Sequence, residues 1–227
     1  MQQFLNLLYP PHCLLCQESS PVSEGCRELC PLCREKISWL EQCCPRCAMP
    51  LHEHVCKWCR EKHFAFQQVY ALALYQGEWR HLMHLLKYGR KTYLASYLGK
   101  MLAEKLTGRL PAGGVIIPVP LHLSKEKERG FNQSCLLARA MCENLSLPYR
   151  EILVRIKDTS SQTGLNRRQR EQNVRGAFAV KEEGLFPLKS PVVLVDDVMT
   201  TGATVNEASR MLKKAGAGDI MVMVAAR

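Results

Sequence analysis

Four C-x-x-C pairs constrain this chain more than any other feature: Cys13/Cys16, Cys30/Cys33, Cys44/Cys47 and Cys56/Cys59. Each pair can present two thiolates to one tetrahedral Zn²⁺, with Zn–S of ~2.3 Å. One pair alone would serve equally well as a redox dithiol, but four within so short a segment point to two Cys₄ sites. Sequential pairing closes thirteen residues between Cys16 and Cys30 and eight between Cys47 and Cys56. A crossed pairing, first with third and second with fourth, gives an interleaved finger instead. The short spans, with Pro31 and Pro45 inside pairs, favour two ribbons in tandem, although both spans fall below the roughly fifteen to twenty residues usual in such arrangements. Cys26 and Cys43 are left over as alternative ligands. His52 and His54 are substitutes on paper, and isolated surface histidines are the plainer reading of them. Sites closed by four cysteines keep no open position, so these metals are structural, and a module this short depends on them for its stability.

Twelve cysteines in 227 residues would suggest a disulfide scaffold in a secreted chain. The first ten residues lack a basic segment and a small-residue cleavage site, and Pro11 and His12 precede Cys13 where a lipoprotein signal needs small residues. The expected location is therefore cytoplasmic. No apolar run approaches the ~20 residues of a membrane helix, so no membrane insertion is expected. Charge divides the chain: residues 1–66 carry seven basic and seven acidic side chains, and the whole net +10 lies in residues 67–227. That excess favours a polyanionic partner. The expected domains are a cysteine module over 1–62 and a second domain over 67–227.

In the second domain, Val69–Tyr75 reads as a strand and Glu78–Lys87 as a helix with Leu82, Leu85 and Leu86 on one face. A helix over Tyr93–Leu106 follows, then the apolar strand Val115–Pro120, a helix over Asn132–Leu145, a strand over Pro191–Val195, a helix over Ala203–Ala215 and a strand over Ile220–Ala225. Unbroken apolar strands alternating with helices predict an α/β fold with a mostly parallel sheet covered on both faces, its ligands at the carboxyl ends of the strands. Cys135 and Cys142, seven apart on one helix, read as core residues.

Asp196 and Asp197 leave the carboxyl end of one such strand, and Thr200-Thr201-Gly202-Ala203-Thr204 turns from it into a helix. Unpaired N–H groups at the helix start, threonine hydroxyls and a glycine permitting close approach make a site for a terminal phosphate. The two acids can accept hydrogen bonds from a sugar diol just inside it, so a ribose 5-phosphate fits. An NTPase metal strand is the competing reading, but the chain contains no G-x-x-x-x-G-K-[ST] and no G-x-G-x-x-G. A plain helix cap would need neither the second acid nor the doubled threonine.

The stretch resembles the phosphoribosyl pyrophosphate motif of type I phosphoribosyltransferases. That resemblance implies that Asp196 and Asp197 contact the ribose hydroxyls and that Thr200, Thr201, Gly202, Ala203 and Thr204 hold the 5-phosphate. With the paired cysteines, Lys87-Tyr88-Gly89, Pro118-Val119-Pro120-Leu121-His122, Arg129-Gly130-Phe131-Asn132-Gln133, Gln162-Thr163-Gly164-Leu165 and Asn173-Val174-Arg175-Gly176-Ala177-Phe178, the chain looks like a member of the ComF/GntX family of bacterial competence proteins. The resemblance implies a double zinc ribbon joined to a phosphoribosyltransferase-like domain and an association with DNA uptake in natural transformation. Arg90-Lys91 and Ala48 depart from it, standing where glycines are commoner.

Between Arg155 and Arg175 lie Arg155, Lys157, Arg167, Arg168, Arg170 and Arg175. A solvated helix face explains such a run. In the resembled fold, however, this segment is a lid whose arginines close over diphosphate, with further contacts from Leu121, His122 and Arg129. The implied reaction is Mg²⁺-assisted displacement of pyrophosphate at the anomeric carbon. No pocket for an incoming nucleophile is legible, so binding is better supported than turnover. Alternatives are a non-catalytic module handling single-stranded DNA, with Tyr88, Tyr93 and Phe131 beside Lys87, Arg90, Lys91 and Arg129 for stacking, and a zinc-built adaptor docking a DNA-uptake protein.

Overall fold

The computed structural model describes residues 12–18, 29–51, 56–89, 91–109, 113–159, 164–181 and 189–227. Cys26, His52, His54, Arg90, Gln162 and Thr163 lie outside the described residues.

Four parallel strands form the centre: β1 (Gln68–Ala73), β2 (Val115–Pro118), β5 (Val192–Val198) and β6 (Ile220–Ala226), in the order β1-β6-β5-β2. Strand pairing sets Ile116 beside Val193, Val195 beside Met223 and Val69 beside Val222. Alternate side chains of these apolar strands leave on opposite faces, so both faces need a cover. Val193, Val195 and Met223 pack with Leu98, Leu102, Leu137 and Met141 from α4 (Leu94–Leu106) and α6 (Gln133–Leu145). Helix α3 (Gly77–Tyr88) joins them through Trp79, whose indole N–H donates to the Ala225 carbonyl at 2.9 Å. Val192, Leu194 and Val222 face Val205, Ala208 and Leu212 of α8 (Ala203–Lys214). This is the α/β architecture expected, helices on both faces included.

Gly99 lets α4 and α6 close on one another, since a Cβ there would stand 2.4 Å from the Ala140 methyl. Each sheet edge is covered. Residues 38–40 pair antiparallel with β1, Leu40 N–H donating to Leu72 O and Leu74 N–H to Ser38 O. Along β2, Ile116 N–H donates to Pro148 O and Arg150 N–H to Ile116 O.

The helices and strands expected from the pattern are all present with ends shifted by a few residues. Among the described residues, five short helices and strands went unanticipated, because runs this brief carry no periodicity. They are α1 (Pro31–Glu35), α2 (Lys57–Glu61), α5 (Leu123–Arg129) and a hairpin of β3 (Leu153–Arg155) with β4 (Phe178–Val180). Between the hairpin strands lies α7 (Arg167–Val174), which Asn166 opens with a capping box to Gln169.

The cysteine module lies against the sheet. Sulfurs of Cys13, Cys16, Cys30 and Cys33 lie within 4.8 Å of one another, as do those of Cys44, Cys47, Cys56 and Cys59. The sequential pairing therefore holds. Cys43 remains outside both clusters, and so do Cys135 and Cys142, half-buried on α6 with thiols that burial pushes up to about 11.

Candidate functional site

The carboxyl ends of β2 and β5 open into a cleft of about 460 Å³. Asp196 and Asp197 stand on its floor. Asp196 Oδ1 accepts from Ser134 Oγ at 2.9 Å and from the Asp197 N–H at 2.9 Å, while Asp197 pairs with Lys87 Nζ at 3.0 Å. Burial, with Asp197 alongside, pushes the Asp196 carboxyl up to about 7, against the pull of Ser134 and Lys87. Burial also works against the Lys87 charge, but the Asp197 carboxylate outweighs it and the ammonium is held above its usual range. The acids are thus partly compensated before any ligand arrives.

Cations surround them: Arg80, Lys87, Lys125, Arg129, Arg155 and Arg170 all line the cleft. Lys125 is lowered by burial and by neighbouring Arg155, and Arg155 by burial. Positive charges crowded this way call for an anion. Gln133 Nε2 and Arg155 Nε, buried donors of two residues that line the cleft, have no hydrogen-bond partner among the described residues. Buried donors are seldom left unpaired, so both suit the oxygens of a bound group.

Local structure explains how these groups converge. Gly130 ends α5 in the left-handed region, at φ 83. Asn132 then caps α6, accepting from Ser134 N–H, and donates to the Val119 carbonyl, holding the loop after β2. Gln133 and Ser134 of the same first turn reach the cleft, and Gln133 Oε1 accepts from Arg129.

At the other end, Gly202 caps α8 at φ 79, a position where a Cβ would also meet the Met199 methyl at 2.9 Å. The N–H groups of the first turn of α8 have no intrahelical acceptor. Thr201 Oγ1 takes the Ala203 N–H at 3.4 Å, and Thr200 Oγ1 accepts from Arg170 at 2.6 Å. Residues 198–205, with Asp196, wall a small recess here.

Of the residues singled out in the sequence, Asp196, Asp197, Thr200, Thr204, Leu121 and Arg129 share the main cleft, and Thr201, Gly202 and Ala203 form the recess beside it. His122 faces a neighbouring cavity and caps α5 through Ser124. Arg167 lies 3.6 Å from the centre of the Trp58 ring, and Arg168 lines a groove with Lys62, Arg175 and Arg210 that shares Thr201, Gly202 and Ala203 with the recess. Arg170 is the arginine of α7 that enters the cleft. Sequence reasoning gave Lys125, Gln133 and Ser134 no role, although Gln133 sat in a quoted motif. Their spacing from the acids is set by packing.

The cysteine clusters fit zinc. Tetrahedral Zn–S bonds of ~2.3 Å place sulfurs ~3.8 Å apart, and Cys16–Cys30 and Cys47–Cys56 stand at 3.8 and 3.5 Å. Burial opposes ionisation of Cys13 and Cys44, yet backbone N–H groups bring them down to about 6 and about 7. Burial holds Cys33 and Cys59 well above the usual thiol range. Four close thiols cannot all ionise without a cation among them.

A double zinc ribbon model matches residues 4–64, and a phosphoribosyl transferase domain model matches residues 132–227. DNA utilization protein YhgH of Shigella flexneri is 33% identical over 226 residues, covering 95% of this chain and 96% of that protein. Competence protein F of Haemophilus influenzae is 30% identical over 236 residues, spanning both chains fully. Competence protein ComFC of Bacillus subtilis is 25% identical over 211 residues, covering 83% of this chain and 79% of that protein.

Proposed function

This chain belongs to the competence-associated ComF family, which joins a double zinc ribbon to a phosphoribosyltransferase domain, and on that premise we propose that its cleft binds phosphoribosyl pyrophosphate with Mg²⁺. One observation carries the reading: a single cleft is lined by an acid pair, by the start of a helix and by two residues whose buried donors have no partner among the described residues, Gln133 Nε2 and Arg155 Nε. The helix start takes the 5-phosphate. Asp196 and Asp197 accept from the two ring hydroxyls, and the donors, with Lys125 and Arg129, take the diphosphate.

The fit to Mg²⁺ is conditional on that ligand. Among the described residues the cleft offers two carboxylates, one already paired with Lys87, which is no cage for a bare ion. Mg²⁺ is commonly held by one or two carboxylates together with substrate phosphates, and Asp196 and Asp197 suit that role. Bound so, it would neutralise charge on the departing diphosphate.

Displacement of pyrophosphate leaves a cationic sugar carbon, and the protein's part is to hold the diol on the acids and the leaving group on the cations. Arg170, bonded to Thr200, ties α7 to the phosphate loop and reduces the access of water. Thermal shift tests the reading: phosphoribosyl pyrophosphate with Mg²⁺ raises the melting temperature, Mg²⁺ alone does not, and Asp196→Ala with Asp197→Ala removes the rise. An unshifted parent at saturating ligand would sink the assignment. Pyrophosphate release across a panel of bases, amines and DNA then separates an enzyme from a binder.

A second reading, handling of single-stranded DNA, draws on the groove of about 390 Å³ that adjoins Thr201, Gly202 and Ala203, where Lys62, Arg168, Arg175 and Arg210 stand with Glu171 and Glu207. Binding there weakens steeply with salt and on replacing Arg168 and Arg175 by alanine. Equal affinity in that double variant removes the groove from the account.

A further inference from the structure

A loop that turns its N–H groups toward a phosphoryl group points carbonyls elsewhere, and buried carbonyls need donors. Here one side chain serves the part-buried Met199 carbonyl and, beside it, the exposed Thr200 carbonyl. Arg227 directly follows β6, and since Met199 N–H donates to Ala226 O it stands beside the exit of β5. Its Nη1 donates to the carbonyls of Met199, at 3.0 Å, and Thr200. Its Nε donates to the carbonyl of Cys47, at 2.6 Å, inside the second cysteine cluster. A planar guanidinium can serve both sides at once, which a lysine cannot.

Other contacts run the same way. The Ala65 N–H donates to Asn206 Oδ1 in the first turns of α8 at 2.8 Å, and the Phe64 ring lies 3.9 Å from where a Cβ on Gly202 would stand. Trp58, between the last two ligands of the cluster, packs edge-on against Phe64 at 4.8 Å, and Lys62 pairs with Glu171 on α7. Cys44, Cys47 and Cys59 share one buried cluster with Phe66, Met199 and Val205.

We infer that Arg227 is a positioning residue, fixing the Met199–Thr204 loop against the second cysteine knuckle so that metal in the Cys44, Cys47, Cys56, Cys59 cluster is a condition of anion affinity at the loop. The inference rests on the reading of that loop as a phosphate site. It assigns the second metal a duty toward the cleft without placing it near the reacting atoms.

The test uses the full zinc-loaded chain, with Arg227→Met, Arg227→Lys and Cys59→Ser, and three measurements: metal content, affinity for phosphoribosyl pyrophosphate with Mg²⁺ by calorimetry, and amide hydrogen exchange over residues 199–204. Arg227→Met is expected to retain both metals, to bind at least ~10-fold more weakly and to exchange faster over the loop. Arg227→Lys recovers part of the affinity, and Cys59→Ser reproduces the Arg227→Met losses together with loss of one metal. Parent-like affinity and exchange in Arg227→Met overturn the inference. If Arg227→Met fails to fold, Arg227→Lys decides, and parent-like values there overturn it equally. A parent that binds no ligand, alongside faster loop exchange in Arg227→Met, defeats the proposed function while upholding the coupling.

Discussion

The two cysteine clusters are built to one plan and sit in different company. In each, the N–H of the first cysteine donates to a carbonyl five residues on, Cys13 to Glu18 at 2.9 Å and Cys44 to Met49 at 2.8 Å. Each continues into a five-residue helix opened by a cysteine, α1 after Cys30 and α2 after Cys56. The residue before the last ligand is Leu32 in the first and Trp58 in the second. Leu32 is 71% exposed, whereas Trp58 packs on Phe64 and under Arg167. Cys13 and Cys33 join the core beneath α3 and α4, and Cys44, Cys47 and Cys59 join the core that holds Met199 and Val205 at the two ends of the Thr200–Thr204 turn. Like ligand chemistry thus serves two ends, and the neighbours of a metal site decide which.

The largest effect expected from this contrast comes from removing one ligand in each cluster. Cys33→Ser and Cys59→Ser should each lose a metal and several kcal/mol of stability, but only Cys59→Ser should lose phosphoribosyl pyrophosphate binding, by at least ~10-fold in calorimetry. Equal losses in both variants would break the contrast.

A pH titration comes next. Asp196 has a folded pKa near 7 against about 3.9 unfolded, so the folded protein binds the extra proton between those values. Stability therefore falls as pH rises through that window, by on the order of a few kcal/mol. Thermal melts at pH 4.5 to 7.5 should show the slope in the parent and in Cys33→Ser, and Asp196→Asn should flatten it. A smaller effect follows from exchanging the unlike residues: Trp58→Leu should cost about 1–2 kcal/mol and speed amide exchange in α7, whereas Leu32→Trp should stay within about 0.5 kcal/mol of the parent. The smallest concerns backbone strain common to both knuckles. Gln17 at φ 61 and Ala48 at φ 54 occupy the left-handed region, so Gln17→Gly and Ala48→Gly should each stabilise by up to about 1 kcal/mol, read as a rise in melting temperature.

Ala48 also illustrates how a sequence departure becomes physical. It stands where a knuckle commonly has glycine, and its positive φ supplies the reason. Much of the site was legible in the same manner. An apolar strand running into Asp196 and Asp197 and then a threonine-rich turn is a local pattern whose chemistry does not depend on distant residues. Gln133 and Ser134 were written in motifs or helices without a role, and Lys87 only as a cation beside bases, because their meeting with the acids is a product of α3 and α6 packing on one face of the sheet. Arg167 and Arg168 were grouped with Arg170, and a helix turns consecutive residues some 100° apart, so only Arg170 enters the cleft.

Spacing alone was enough for the metal ligands, the strand-and-helix alternation and the acid pair with its turn, since each is a matter of residues close along the chain. The Lys87 counter-ion, the unpaired donors of Gln133 and Arg155 and the Arg227 bridge join positions as much as 180 residues apart. Contacts of that range exist only once the parallel sheet has brought β2, β5 and β6 side by side, and no periodicity in the chain records them.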